Sequence, residues 1–257
     1  VIGALSSAIV LAGIGIVFGM IAGSFIAVLT LRWPAGRSVG GIGADEARSA
    51  CDSCGHVLSP LELVPVFSFV FLRGRCRHCG AAIAPRHLWV EIAAAAIGGL
   101  SMGLYPGFDG MSGACFGWAL LALAVLDVEH FWLPDRLTLP LGAAGLLASA
   151  WLSPPFTDRL IGAATGFGIL TLIAAVYQAS AGRRGMGGGD PKLFAAIGAW
   201  LGWMVLPFVL LAAASLGLML AGLDRWRGRE VTRATPLPLG ALLAVVAWPL
   251  WLAGFLR

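Results

Sequence analysis

"LLALAVLDVEHFWLPDRLTLP", Leu120 to Pro140, decides how this chain folds. Seven apolar residues, Leu120 to Leu126, run directly into Asp127, with Glu129 and His130 just beyond. After Leu133, Pro134 and Asp135 a second apolar run begins. This is the pattern of one membrane span ending in polar groups at an interface and the next span starting there. Composition agrees with that reading. Of 257 residues, 59% are hydrophobic and only 12% charged, with a mean hydropathy of +0.89. Soluble domains carry about 25% charged residues, so this chain cannot cover itself with polar surface.

Applied along the chain, the requirement for about 20 apolar residues per crossing gives eight candidate spans. They lie at 3–30, 88–106, 112–131, 135–152, 158–179, 190–204, 205–223 and 237–256. The first lacks a basic leader and is too long for a signal-peptide core, so it reads as a membrane helix. The pair at 190–223 is either two helices or one kinked helix, since Gly202 and Pro207 permit both. The expected fold is therefore an all-α polytopic membrane protein of about eight transmembrane helices. Its parts are a first helix (1–30), an extramembrane loop (31–87) and a membrane core (88–257).

Charge sets the expected orientation. Fifteen of the seventeen basic residues fall in the 31–87 loop or in alternate connections after it. Only Arg159 and Arg257 fall on the other side. The positive-inside rule then puts the long loop in the cytoplasm and both chain ends outside, with an even number of spans. The pI near 9.1 comes from this distribution and not from a nucleic-acid surface, so no nucleic-acid partner is expected.

The loop carries two C-x-x-C pairs, Cys51/Cys54 and Cys76/Cys79, each followed by glycine (Gly55, Gly80). The spacing suits a four-thiolate zinc ribbon, with Arg73, Arg75 and Arg77 offsetting the thiolate charge. Two disulfides or a redox pair are the competing readings, and a reducing cytoplasm disfavours disulfides. Metal would supply folding energy to a loop too small for a core of its own. His56 and His78 read as bystanders, and Cys115 as a small core residue.

Two aspartates stand at span borders on the same expected side. Asp127 ends the third span, and Asp190 opens the sixth after "GMGGG", Gly185 to Gly189. Two carboxylates brought together share a proton and supply an acid and a base at once. That is aspartic-protease chemistry, with one carboxylate activating water and the other donating to the scissile carbonyl. Gly187, Gly188 and Gly189 remove side chains where an extended substrate would lie against backbone. Lys192 is a candidate for an acidic substrate group. The helix dipole marks Asp190 as the more readily ionised partner. Asp135 reads as an N-cap, and Glu129 and His130 as interfacial residues.

With these motifs assembled, the sequence resembles the prepilin peptidases, membrane aspartic proteases of the G-x-G-D type. The likeness covers nearly the whole chain. It rests on "GSFIAVLTLRWP" (23–34), "CDSCG…LVPVFSFVFLRGRCRHCGAAIAPRHLWVE" (51–91), "LDVEHFWLPDRLTLP" (126–140) and "GMGGGDPKLFAAIGAWLGW" (185–203). The resemblance implies a bacterial inner-membrane enzyme with its active site at the cytoplasmic face. Such an enzyme cuts the basic leader from type IV prepilins or type II secretion pseudopilins. Many members then methylate the new N-terminal amine using S-adenosylmethionine. By matching motifs, Asp127 and Asp190 are the catalytic pair and Cys51, Cys54, Cys76 and Cys79 bind structural zinc. Residues for S-adenosylmethionine cannot be named from the sequence. Membrane lipid is the other expected partner, and oligomeric state is left open.

Two departures stand out. Asp52 follows Cys51 where members often have proline, and "TPLPLG" (235–240) replaces the usual Pro-Phe-Gly-Pro. The second is expected to alter helix packing while touching neither aspartate. Competing functions are a presenilin-like protease, which leaves the cysteine module unexplained, and a proton-coupled transporter, which predicts acids at mid-span. A metal-bound membrane scaffold leaves the aspartates unexplained.

Overall fold

The structure is a computed structural model that describes residues 2–36, 50–51, 53–182, 185–230 and 235–254. Of the basic residues counted above, Arg37, Arg48, Arg183, Arg184, Arg233 and Arg257 lie outside the described residues, as does Asp52. The described chain is helical throughout, with two isolated antiparallel bridges and no strand. It divides into two compact units, 1–118 and 119–257.

The first unit is built on α1 (Ile2–Arg32) and α3 (Arg86–Leu104). Small residues let these two helices meet backbone to backbone. A Cβ on Gly15 or Gly19 would strike the carbonyl oxygens of Gly98 and Ala94, and one on Gly23 would lie 2.7 Å from Glu91 Cα. Glycine spaced every four residues on an apolar helix is the usual way membrane helices pack closely. Arg86, at the start of α3, donates to Ala27 O at 2.9 Å and Thr30 Oγ1 at 2.6 Å. Between α1 and α3 lie the cysteine module and the short helix α2 (Phe67–Phe71). Helix α4 (Phe108–His130) begins in this unit, and Trp118 on it donates to Ala94 O at 2.9 Å.

The second unit holds the end of α4, then α5 (Asp135–Leu147), α6 (Phe156–Ala181), α7 (Gly189–Leu201), α8 (Leu206–Trp226) and α9 (Leu239–Leu252). Leu123, Leu126, Leu193, Phe194, Ile197, Val209 and Leu243 form its core. Helices α6 and α7 meet at Gly162 and Gly198, where neither position has room for a Cβ. The open question at 190–223 resolves as two helices. Gly202, at φ +74°, ends α7, and one turn later α8 starts with Pro207 in its first turn. Proline costs nothing there, because its missing N–H has no helical partner anyway.

Helices occupy all eight expected span positions. Five are long and apolar enough to cross a bilayer: those over 6–32, 86–104, 108–130, 156–181 and 203–226. Helices α5, α7 and α9 have 13, 13 and 14 residues. At 1.5 Å per residue they reach only about 20 Å, against about 30 Å of hydrocarbon.

Two of these short helices end on one cation. Arg159, at the start of α6, is fully buried. Its guanidinium donates to Gly145 O (2.7 Å), Ala199 O (3.1 Å), Leu152 O (3.3 Å), Ser153 O (2.7 Å) and Pro154 O (2.8 Å). Gly145 and Ala199 lie in the last turns of α5 and α7, whose carbonyls have no partner within the helix. A planar donor fork satisfies both ends and sits at the negative pole of both dipoles.

Candidate active site and metal centre

The cysteine module is two copies of one turn. Cys51 N–H donates to His56 O at 2.9 Å, and Gly55 N–H returns to Cys51 O at 2.9 Å. Cys76 N–H donates to Ala81 O at 2.8 Å, and Gly80 N–H to Cys76 O at 3.0 Å. Each turn needs its glycine, since Gly55 and Gly80 stand at φ +69° and +71°. The bridges Ala50–Val57 and Arg75–Ala82 close the turns from outside.

The four sulfurs lie within 4.8 Å of one another. Cys51 Sγ is 3.8 Å from Cys79 Sγ, and Cys54 Sγ is 4.0 Å from Cys76 Sγ. A tetrahedron of Zn–S bonds of about 2.3 Å has edges of roughly 3.8 Å, so the set fits zinc. The N–H groups of Cys54 and Ser53 bring the Cys51 thiol down to about 7, while, against the His56 N–H, desolvation and the crowding thiols push Cys54 up to about 11. His56 and His78 stack on each other, ring centres 3.6 Å apart, and do not enter the sulfur cluster. Cys115 is exposed on α4, not buried as the sequence suggested.

In the second unit the two border aspartates come together. Asp127 sits one turn from the end of α4, and Asp190 is the second residue of α7. Both are buried. Their carboxyl groups lie close enough for Asp127 to act electrostatically on Asp190, and the Gly240 N–H at the start of α9 lies beside both. Asp127 Oδ2 accepts the Ala241 N–H at 2.8 Å. Asp190 Oδ2 accepts the Gly187 N–H at 3.1 Å, from the glycine turn that precedes it.

Leucine 133 explains two of the glycines. A Cβ on Gly189 would lie 2.6 Å from Leu133 Cβ, and one on Gly240 would lie 2.6 Å from Leu133 Cδ1 and 3.0 Å from Asp127 Oδ2. One side chain from the loop after Asp127 thus packs onto the helix starts of α7 and α9. Gly188 has open space where a Cβ would be.

Several expectations change here. The "TPLPLG" segment does touch the site, because it delivers Gly240 and Ala241 to Asp127. The dipole argument no longer separates the two acids: Asp190 has the N-terminus of α7, but Asp127 has that of α9. Asp135 is not an N-cap. Pro134 holds that place, and the Asp135 carboxylate receives Lys192 Nζ at 2.7 Å on both oxygens. Lys192 is thereby committed to a neighbour within the protein. Glu129 and His130 are exposed at the end of α4, 3.9 Å apart.

Residues 17–104 match the family model described as the bacterial peptidase A24 N-terminal domain. Residues 114–222 match that of the type IV leader peptidase family. The chain is 40% identical over 252 residues to the prepilin leader peptidase/N-methyltransferase of Burkholderia pseudomallei (strain K96243), covering 89% of this chain and 81% of that one. It is 39% identical over 203 residues to the protein of that name from Pseudomonas aeruginosa, covering 78% and 69%. With the one from Dichelobacter nodosus it shares 39% over 210 residues, covering 80% and 71%. No solved structure matches. At this identity, over most of both chains, the protein belongs to the type IV leader peptidase family.

Proposed function

We propose that this protein is a membrane aspartic endopeptidase that removes the basic leader from type IV prepilins or related pseudopilins, with Asp127 and Asp190 as its catalytic pair. The observation that supports it is the convergence of two buried carboxylates from α4 and α7 beneath the N–H groups that open α9. One carboxylate takes a proton from water as the water oxygen attacks the scissile carbonyl carbon. The other, protonated, gives its proton to the carbonyl oxygen. Collapse of the resulting diol breaks the C–N bond, and the amine leaves with a proton from the dyad. The Gly187 and Ala241 N–H groups hold the acids in place through this exchange. Both acids lie at helix ends, which argues against a mid-span proton relay.

Cys51, Cys54, Cys76 and Cys79 would hold zinc, which fixes the module's two turns and supplies folding energy. The charge distribution favours a cytoplasmic location for this module and for the dyad. The relatives' name also motivates a second activity on the cleaved product, N-methylation of the new terminal amine with S-adenosylmethionine as methyl donor.

The test is mass spectrometry of a prepilin incubated with purified enzyme, with and without S-adenosylmethionine. Expected are loss of the leader in both cases and a product heavier by one methyl group only with the donor. An intact prepilin would overturn the peptidase reading, and an unmethylated product the second activity alone.

A further inference from the structure

We propose that α2 is an interfacial segment that beds Phe67, Val70 and Phe71 into the headgroup–acyl boundary of an anionic leaflet, with Arg73, Arg75 and Arg77 on the lipid phosphates. The geometry begins with Glu91, a buried acid on α3. Its carboxylate accepts the Val66 N–H at 2.7 Å. Val66 is the centre of a three-residue turn, with φ +62° and ψ −51°, closed by Phe67 N–H to Pro65 O at 2.6 Å. A left-handed turn of this kind is strained, and most so at a β-branched residue. It persists only where its surroundings over-determine it, and here Glu91 does so.

That tether fixes the depth at which α2 starts. Glu91 is five residues into α3, about 7–8 Å along the helix axis from Arg86. The γ-turn is therefore pinned below the basic end of a membrane-crossing helix, level with exposed Trp89 and Ile92. Tryptophan and arginine at a span end mark the membrane–water boundary. From that depth α2 presents Phe67, Val70 and Phe71, which are 54%, 63% and 84% exposed. Leu63 and Val64, just before the turn, are exposed as well.

Arg73, Arg75 and Arg77 follow at once, all exposed. Apolar side chains at headgroup depth followed by a basic cluster form the pattern of a membrane-surface anchor. Each basic residue near an anionic surface adds roughly fivefold to binding. The arginines lead into Cys76, so the same contact would seat the metal module against the leaflet.

A five-residue helix opens readily unless something covers it. Hydrogen exchange on the full-length protein in nanodiscs reads this directly. The amides of 67–72 are expected to exchange about tenfold more slowly in discs with about 30% phosphatidylglycerol than in phosphatidylcholine alone. High salt should remove the difference in the unmodified protein. R73Q/R75Q/R77Q should also remove it, whereas R73K/R75K/R77K should keep it, with α1 and α3 exchange unchanged in both. Equal exchange in the two lipids would overturn the proposal. So would protection that arises only when a prepilin peptide is added, since α2 would then be covered by substrate.

Discussion

The cysteine module and the aspartate dyad solve the same problem, holding costly polar groups in fixed geometry, by opposite means. In the module each ligand pair is set by its own turn, and every backbone bond that shapes a turn spans nine residues or fewer. In the dyad the partners are Asp127, Asp190 and Ala241, so one bond closes across 114 residues. The module is local and, holding zinc as proposed, would lean on metal for its stability. The dyad is non-local and leans on packing, with small residues and Leu133 setting the approach of three helix ends. Damage to the first should therefore show in metal content, and damage to the second in rate.

The sharpest break is at the dyad. Asp127→Asn or Asp190→Asn should lower leader cleavage by about 10³-fold or more, with zinc content unchanged. Rates and metal stoichiometry measured on the same preparation check this, and substantial cleavage by either variant would dissolve the contrast. Next is the module. Cys51→Ser with Cys54→Ser should drop bound zinc at least about tenfold, as mass spectrometry of the purified protein would report, since two of four ligands are gone. Gly240→Ala is a finer probe. Its new Cβ would press Leu133 and the Asp127 carboxylate together, and overpacking of this kind costs about 1–3 kcal/mol. If that cost falls on the site, kcat should fall about tenfold with zinc unaffected. The smallest effect belongs to Lys192→Met. Its bridge to Asp135 is largely exposed, and such pairs contribute about 0–1 kcal/mol. The rate should change less than about fivefold, and a larger loss would mean that Lys192 meets substrate.

The same contrast explains what could be read from the sequence. The C-x-x-C-G turns, the eight apolar segments and both border aspartates carry local signatures, so composition and spacing find them. Gly240 and Ala241 carry none: a glycine after "TPLP" says that a helix starts, but not that its N–H groups meet Asp127. Leu133 reads as one more apolar residue, and its role lies in where Gly189 and Gly240 arrive. Glu91 sits in an apolar helix and carries no local signature; its task depends on a turn 25 residues earlier. Asp135 has the look of a cap, yet the neighbouring proline takes that place and frees it for Lys192. Backbone donors and space-filling contacts between distant segments leave no pattern at either helical or strand period, which is why they emerge only in three dimensions.

Arg159 spends its whole charge inside the protein, on five carbonyl oxygens. In the folded protein such a cation adds nothing to the charge that solvent or headgroups meet. Removed from the tally of surface charge, it leaves Arg257 as the one basic residue outside the 31–87 loop and its alternate connections, so the folded protein's charge is divided more unevenly than a simple count suggests.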